Sequence, residues 1–386
     1  MLSGATILQV IPDLAAGGAE RTTIEVARAL HDAGAHALVA SAGGRLEPEL
    51  TAAGGELLLM PGAGSKNPLT LLANARTFAA IIRERRVDLV HARSRAPAWS
   101  ALWAARRTRR PFVTTYHGVY NARGGLKRFY NSVMARGDVV IANSEFTAEH
   151  VRAEHPEAAG RIATIPRGVD IAEFSAAAVS PARRAALASA WTLSREDGRA
   201  LILLAGRLTG WKGQREAINA AALLAARRVR PWRMVLAGDP QGREAYVAEL
   251  HQLIARHGLD DRVTIVGHCS DMPAAFSLAD IVIAPSNEPE AFGRVAAEAG
   301  AMGRPVIGSD VGGQREIIVH GETGLLILPR DSIALAGAMA DLLNRGAEGR
   351  NRMGEAAVAR VRGKFTTAAL QQATLAVYDR LIGRPS

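Results

Sequence analysis

The chain has 386 residues, 48% of them hydrophobic, a formal net charge of +10 and one cysteine. That length suits two domains, and the apolar fraction excludes a disordered chain. The lone Cys269 excludes an intrachain disulfide and a cysteine-rich metal site, so the expected compartment is the reducing cytoplasm. The positive charge is almost all arginine; the lysines are Lys66, Lys127, Lys212 and Lys364. Such a surplus suits nucleic acid, anionic lipid or phosphorylated small molecules, and composition does not choose among them.

The opening "MLSGATILQVIPDL" reads as a strand and lacks the basic, apolar and cleavage segments of a signal peptide. No apolar run reaches the length that spans a bilayer. Strand-like runs "TILQVIP", "HALVAS", "VDLVHA", "FVTTYH" and "DVVIANS" alternate with amphipathic stretches such as "AERTTIEVARALHDAG" and "LTLLANARTFAAIIRERR". Short Val/Ile-rich runs separated by helical segments imply βαβ units and a parallel sheet covered on both faces. Residues 1–175 are therefore expected to form a Rossmann-like N-terminal domain.

In the first βα turn, Gly17 and Gly18 precede a helix predicted to begin near Ala19. Paired glycines there let main-chain amides approach an anion at the positive helix end, or simply make a tight turn. Neither the dinucleotide G-x-G-x-x-G fingerprint nor a P-loop occurs, which disfavours an NAD-dependent dehydrogenase. Further on, "WSALWAARRTRR" places Trp99 and Trp103 at helical spacing ahead of Arg106, Arg107, Arg109 and Arg110, and "RERR" supplies Arg83 to Arg86. Aromatics beside clustered arginines suit an anionic membrane surface, but the two tryptophans lie on a helix between sheet strands, and their packing in the core is the favoured reading.

The pattern blurs near residues 170 to 198, then restarts with "ALILLAG", "RMVLAG", "RVTIVGH", "DIVIAPS" and "PVIGSD". Residues 176–365 thus predict a second doubly wound domain whose switch-point end faces that of the first across a cleft. Residues 366–386 predict a C-terminal helix that packs back on the N-terminal domain. In "LLAGRLTGWKGQREA", Arg207 and Lys212 flank the end of the second domain's first strand, where two cations can neutralise a diphosphate.

"DIVIAPS" then feeds "NEPEAFGRVAAE", with Glu290 in the loop and Glu298 along a helix starting near Gly293. A rise of about 1.5 Å per residue sets the two carboxylates on the order of 10 Å apart, which suits opposite ends of one ligand better than a shared proton. The N–H groups of Phe292 and Gly293 can face phosphate oxygens. Glu298 can equally pair with Arg294 at helical spacing. Neither a D-x-D pair nor H-E-x-x-H zinc spacing is present.

Together, "GGAER", "TYHG", "GRLTGWKG", "EAFGRVAAEAGAMGRPVIGSDVGGQREII" and "GETGLL", in this order, resemble the retaining glycosyltransferases of family 4 in the GT-B superfamily. The resemblance covers nearly the whole chain and includes the family's E-x7-E motif, met by Glu290 and Glu298. It implies that Glu298 accepts from the ribose hydroxyls of a nucleotide-sugar and that Glu290 orients hydroxyls on the transferred sugar. It also implies that Arg207 and Lys212 grip the diphosphate, that Gly17 and Gly18 bring amides to it, and that His117 contacts the donor sugar near the reacting carbon. In "IPRGVD", Arg167 stands where many relatives carry asparagine, which leaves the acceptor-side contact open.

The expected activity is metal-independent, cofactor-free sugar transfer from a nucleoside diphosphate, UDP ahead of GDP, to a lipid-linked or cell-envelope glycan, on the cytoplasmic side and peripheral to the inner leaflet. A nucleotide-sugar epimerase of the same shape is the alternative among enzymes. A phosphorylase is disfavoured because no lysine site suits a pyridoxal cofactor. From another class, the charge permits a nucleic-acid-binding protein, but no aromatic-basic motif or zinc module supports a specific nucleic acid partner.

Overall fold

The computed structural model describes residues 2–15, 17–120, 124–193 and 198–383. The chain divides into two compact units, one made of Met1–Gly168 and Thr367–Ser386, the other of Val169–Thr366. The first stretch ends at Gly168, ahead of the expected 175, because Val169 already belongs to the second unit's backbone: its N–H donates to the Phe365 carbonyl at 2.8 Å and it bridges Thr366. Residues 194–197 of the expected boundary segment lie outside the described residues.

The first unit holds strands β1 (Thr6–Val10), β2 (His36–Ser41), β3 (Gly55–Leu59), β4 (Leu89–Ala92), β5 (Phe112–Tyr116), β6 (Val139–Ala142) and β7 (Ile162–Thr164). They form one parallel sheet in the order β3-β2-β1-β4-β5-β6-β7. Parallel neighbours need crossover connections, here mostly helices, and these cover both faces of the sheet. Alternation along β1 shows the result: Leu8 and Val10 pack with Phe78, Trp99 and Leu102, while Ile7 packs with Val26, Leu30 and Tyr378 on the other face. The C-terminal helix Thr367–Ile382 belongs to this unit. Its Gln371 Nε2 donates to the Glu25 carbonyl at 2.7 Å, and the Tyr378 hydroxyl lies 2.5 Å from His91 Nδ1.

The second unit holds β8 (Ala200–Ala205), β9 (Trp232–Ala237), β10 (Val263–Gly267), β11 (Ile281–Ala284), β12 (Val306–Ser309) and β13 (Gly324–Ile327). They are parallel in the order β10-β9-β8-β11-β12-β13. Ala200, Ile202 and Leu204 enter one core cluster, and Leu201, Leu203 and Ala205 the other. Each unit is therefore a doubly wound, Rossmann-like α/β domain. The strand order reverses between β1 and β4 in the first and between β8 and β11 in the second, and such reversals open a crevice at the carboxyl ends of the strands.

Candidate functional site

In the second unit the loops leaving β8 and β11 are stitched together. The Asn287 N–H donates to the Trp211 carbonyl at 2.7 Å, and the Asn287 side chain donates to the Gly210 carbonyl at 3.1 Å. Gly213 has φ 79°, and a Cβ on it would run into the Pro285 carbonyl, so only glycine closes this seam. Lys212 ends a short 3-10 turn, Gly210–Lys212, and the helix proper, Gln214–Ala225, starts after Gly213.

This seam brings Lys212 Nζ within 2.8 Å of Glu290 Oε1, with both side chains largely buried at 13% and 11% exposure. The Ser286 hydroxyl also donates to Glu290 Oε1, as does Gln314 Nε2 at 3.2 Å. Burial works against the carboxylate, but the charge and hydrogen bond of Lys212, with the bonds from Ser286 and Gln314, outweigh it and hold the carboxyl below its ordinary value. Glu290 is thus a fixed, ionised carboxylate, and part of the Lys212 charge is already answered by it.

Gln314 had no place in the sequence reading. Its side chain ties three loops together: Nε2 donates to the Ala284 carbonyl at 3.1 Å as well as to Glu290, and Oε1 accepts from the Ser309 N–H at 2.8 Å. Gly312 and Gly313 precede it, and a Cβ on either would strike the backbone of residues 289–292. Trp211 was equally unassigned. Its ring lies 4.4 Å from Lys212 Nζ and 5.7 Å from the Arg207 guanidinium, and so spaces the two cations. Arg207 itself is exposed.

The helix after β11 runs Arg294–Ala301, with Gly293 as its N-cap at φ 97°; a Cβ there would meet Gln314 Cγ at 2.9 Å. Phe292 sends its side chain into the core, edge-on to Phe365 at 5.8 Å. Glu298 is buried, and Arg294 grips its Oε1 through Nε at 3.0 Å and Nη2 at 2.5 Å. The helical ion pair weighed against a ligand role is therefore formed.

In the first unit, the helix Gly18–Asp32 starts at Gly18, one residue before the expected Ala19. A Cβ on Gly18 would overlap the Arg167 guanidinium, which lies directly against the helix start. Arg167 Nη2 sits 3.1 Å from His117 Nδ1 just beyond β5. A guanidinium only donates, so Nδ1 accepts and the proton resides on Nε2. That Nε2 is shut off from solvent and has no hydrogen-bond partner. Burial, with the Arg167 and Arg93 charges, pushes His117 well below the ordinary histidine value, so the imidazole is neutral.

Arg93, directly after β4, is 2% exposed. Its Nε and Nη2 donate to Gln9 Oε1 at 2.9 and 2.5 Å, and Gln9 Nε2 donates to the Thr23 carbonyl at 3.1 Å. Both residues escaped the sequence reading, although a glutamine inside the apolar run "TILQVIP" was a visible signal.

The core packing expected of the two tryptophans holds for Trp99 and not for Trp103. Trp99 is a core residue: it is 6% exposed, stacks on Phe129 at 5.0 Å and donates Nε1 to the Tyr130 carbonyl at 3.1 Å. Trp103 is 38% exposed, and Arg106, Arg107, Arg109 and Arg110 face solvent. Arg85 is paired with Glu56, and Arg110 lies 3.8 Å from Asp88. Among the described residues no cluster of His, Cys, Asp or Glu could hold a metal ion, and no helix is long and apolar enough to cross a membrane.

Two Rossmann-like units, with a lysine-carboxylate pair at the switch point of the second, define a GT-B glycosyltransferase, and the chain belongs to that family. The family described as Glycosyltransferase Family 4 matches residues 16–173, and Glycosyl transferases group 1 matches residues 189–360. The crystal structure of a glycosyltransferase from Rickettsia africae ESF-5 is similar over 99% of this chain and 100% of that one, at 34% identity and TM-score 0.92. Anabaena Alr3699/HepE in complex with UDP-glucose is similar over 97% of this chain and 100% of that one, at 26% identity and TM-score 0.79. The D-inositol 3-phosphate glycosyltransferase of Pseudarthrobacter chlorophenolicus is 34% identical over 250 residues, which span 63% of this chain and 57% of that protein. The chain thus matches little more than half the length of that relative.

Proposed function

We propose that this protein transfers a sugar, with retention and without a metal, from a nucleoside diphosphate to a lipid-linked or cell-envelope glycan. The observation that carries the reading is the buried Lys212–Glu290 pair, 2.8 Å apart, in the seam between the loops after β8 and β11. An open α/β sheet takes its ligand there, and the structural relative solved with UDP-glucose supports UDP as the nucleotide.

Cleaving a glycosyl phosphate leaves negative charge on the diphosphate and positive charge on the anomeric carbon. Arg207 and Lys212 are assigned to the diphosphate, where fixed cations act most strongly in the transition state. With protein cations in that role no metal is needed. Glu290, held ionised by three donors, orients sugar hydroxyls as an acceptor and is not the covalent nucleophile. The leaving phosphate oxygen takes the acceptor's proton in a front-face attack, which preserves the anomeric configuration. Glu298 is assigned to the ribose hydroxyls as an acceptor, and the amides of Phe292 and Gly293 to the phosphates. In the first unit, Gly17 and Gly18 bring amides to the same diphosphate, and His117 contacts the donor sugar near the reacting carbon.

The protein works in the cytoplasm, where Cys269 stays a thiol, and associates reversibly with anionic lipid through Trp103 and the exposed arginines. The name of the Pseudarthrobacter relative supports a hydroxyl acceptor without fixing which one. Incubation with UDP-glucose, with and without candidate acceptors, tests the reading. Acceptor-dependent release of UDP with at most slow hydrolysis otherwise is expected. Conversion of the donor into an isomeric nucleotide-sugar with no acceptor present would instead show an epimerase.

A further inference from the structure

Gln314 is buried at 1% exposure, and its neighbours fix which way its amide faces. The Ser309 N–H can only donate and lies 2.8 Å from its Oε1, while the Ala284 carbonyl can only accept and lies 3.1 Å from its Nε2. The amide therefore sits one way round, and its second N–H is directed at Glu290 Oε1, 3.2 Å away. Two glycines make room for it: a Cβ at Gly308 would strike its Oε1, and one at Gly293 would meet its Cγ at 2.9 Å. Oε1 of Glu290 also accepts from the Ser286 hydroxyl and lies 2.8 Å from Lys212 Nζ, so three donors converge on one carboxylate oxygen. Of the three, the Lys212 ammonium rides on a flexible stem and the Ser286 hydroxyl rotates, whereas the Gln314 amide is tied down by both of its ends.

We propose that Gln314 is a positioning residue for sugar transfer: it holds Glu290 by Oε1, so that Oε2 meets the donor sugar and stays in place when Lys212 turns to the diphosphate. The proposal rests on the transferase reading above and deepens it, since Gln314 acts on the sugar only through Glu290. Losing this donor has two consequences that a loosened core does not share. A hydrogen bond to the ionised carboxylate favours that form, so its removal raises the pH at which Glu290 takes up a proton. A carboxylate released at one oxygen also turns out of line with the sugar, which slows the chemical step and leaves the grip on the nucleotide unchanged.

Release of UDP from UDP-glucose by the full chain, followed against pH in the wild type, Gln314→Met and Gln314→Glu, tests the assignment, with UDP affinity measured by calorimetry on the same samples. In Gln314→Met, kcat should fall about tenfold or more while UDP affinity holds. The acid limb of its kcat profile should move up by about one pH unit, the equivalent of one hydrogen bond to a charged group. Gln314→Glu keeps an acceptor for Ser309 but sets a second carboxyl beside Glu290; two carboxyls so close resist ionising together, so the limb should move further up. An acid limb at the wild-type position in both variants, a fall in kcat matched by an equal loss of UDP affinity, or failure of both variants to fold would make Gln314 a scaffold residue only and overturn the proposal. If the wild type itself releases no UDP, the transferase reading fails, and the pH dependence of Tm in the same three proteins still decides whether Gln314 governs Glu290.

Discussion

Replacing Lys212 with methionine keeps the length of the side chain and removes its charge. Two opposite charges 2.8 Å apart attract by about 6 kcal/mol at an effective dielectric near 20, and desolvation takes back a large part. Removing one member of a buried pair costs about 3–5 kcal/mol because the other is left stranded. Glu290 would keep its bonds from Ser286 and Gln314, which puts the loss at the low end, about 3 kcal/mol. For a unit of this size that is a fall in Tm of about 6–12 °C.

The gap should depend on pH. In the wild type Glu290 has a lowered folded pKa, so its contribution is complete above the unfolded carboxyl value and is lost as pH falls through the folded one. In Lys212→Met, burial has no countering charge and Glu290 takes up its proton earlier. The Tm difference between the two proteins should therefore be full at neutral pH and shrink as pH is lowered through the carboxylate range. Thermal unfolding of the full chain at a series of pH values reads this directly. The double variant Lys212→Met/Glu290→Gln should lose less than the single variants summed. A shift of less than about 2 °C at neutral pH, against the 2–4 °C expected per kcal/mol, or a gap that ignores pH, would refute the reasoning.

Three further outcomes follow from named contacts. His117 should stay neutral as pH is lowered through the ordinary histidine midpoint near 6.5, so its Cε1–H resonance should not move there, whereas a normal titration at that midpoint would contradict the Arg167 contact. Gly18→Ala should displace Arg167 at a cost of about 1–3 kcal/mol and lower sugar transfer; urea unfolding and a turnover assay check both, and an unchanged protein would show that the guanidinium does not lie on the helix start. Vesicles rich in anionic lipid should carry the protein in flotation at low salt and release it at high salt, with weaker binding after charge removal at Arg106 and Arg107; flotation that ignores salt would point away from the exposed arginines.

Much of the fold was legible because parallel strands buried on both faces are written as short continuous apolar runs, and "ALILLAG" and "DIVIAPS" became β8 and β11. The cations and carboxylates of the second unit were visible as residue types in the right loops. Their pairing was not, because Lys212 meets Glu290 only if β8 and β11 are neighbours, and strand order follows from how the crossovers pack. Gln314 and Arg93 were missed for a related reason: each satisfies partners on other loops or strands, so its own segment carries little trace of the role. Trp99 and Trp103 share a helix at spacing four, yet one is core and the other half-exposed, since periodicity gives a face and not the depth at which it is buried.

The account stands most directly on whether the second unit binds a nucleoside diphosphate through its own cations. Calorimetric titration of the full chain with UDP, in chelator and without added metal, should give saturable one-to-one binding that falls about tenfold or more in Arg207→Ala, as expected for loss of one charged contact to phosphate. No heat with UDP, GDP or their sugars, or an affinity that is restored only by a divalent metal and ignores Arg207, would contradict it.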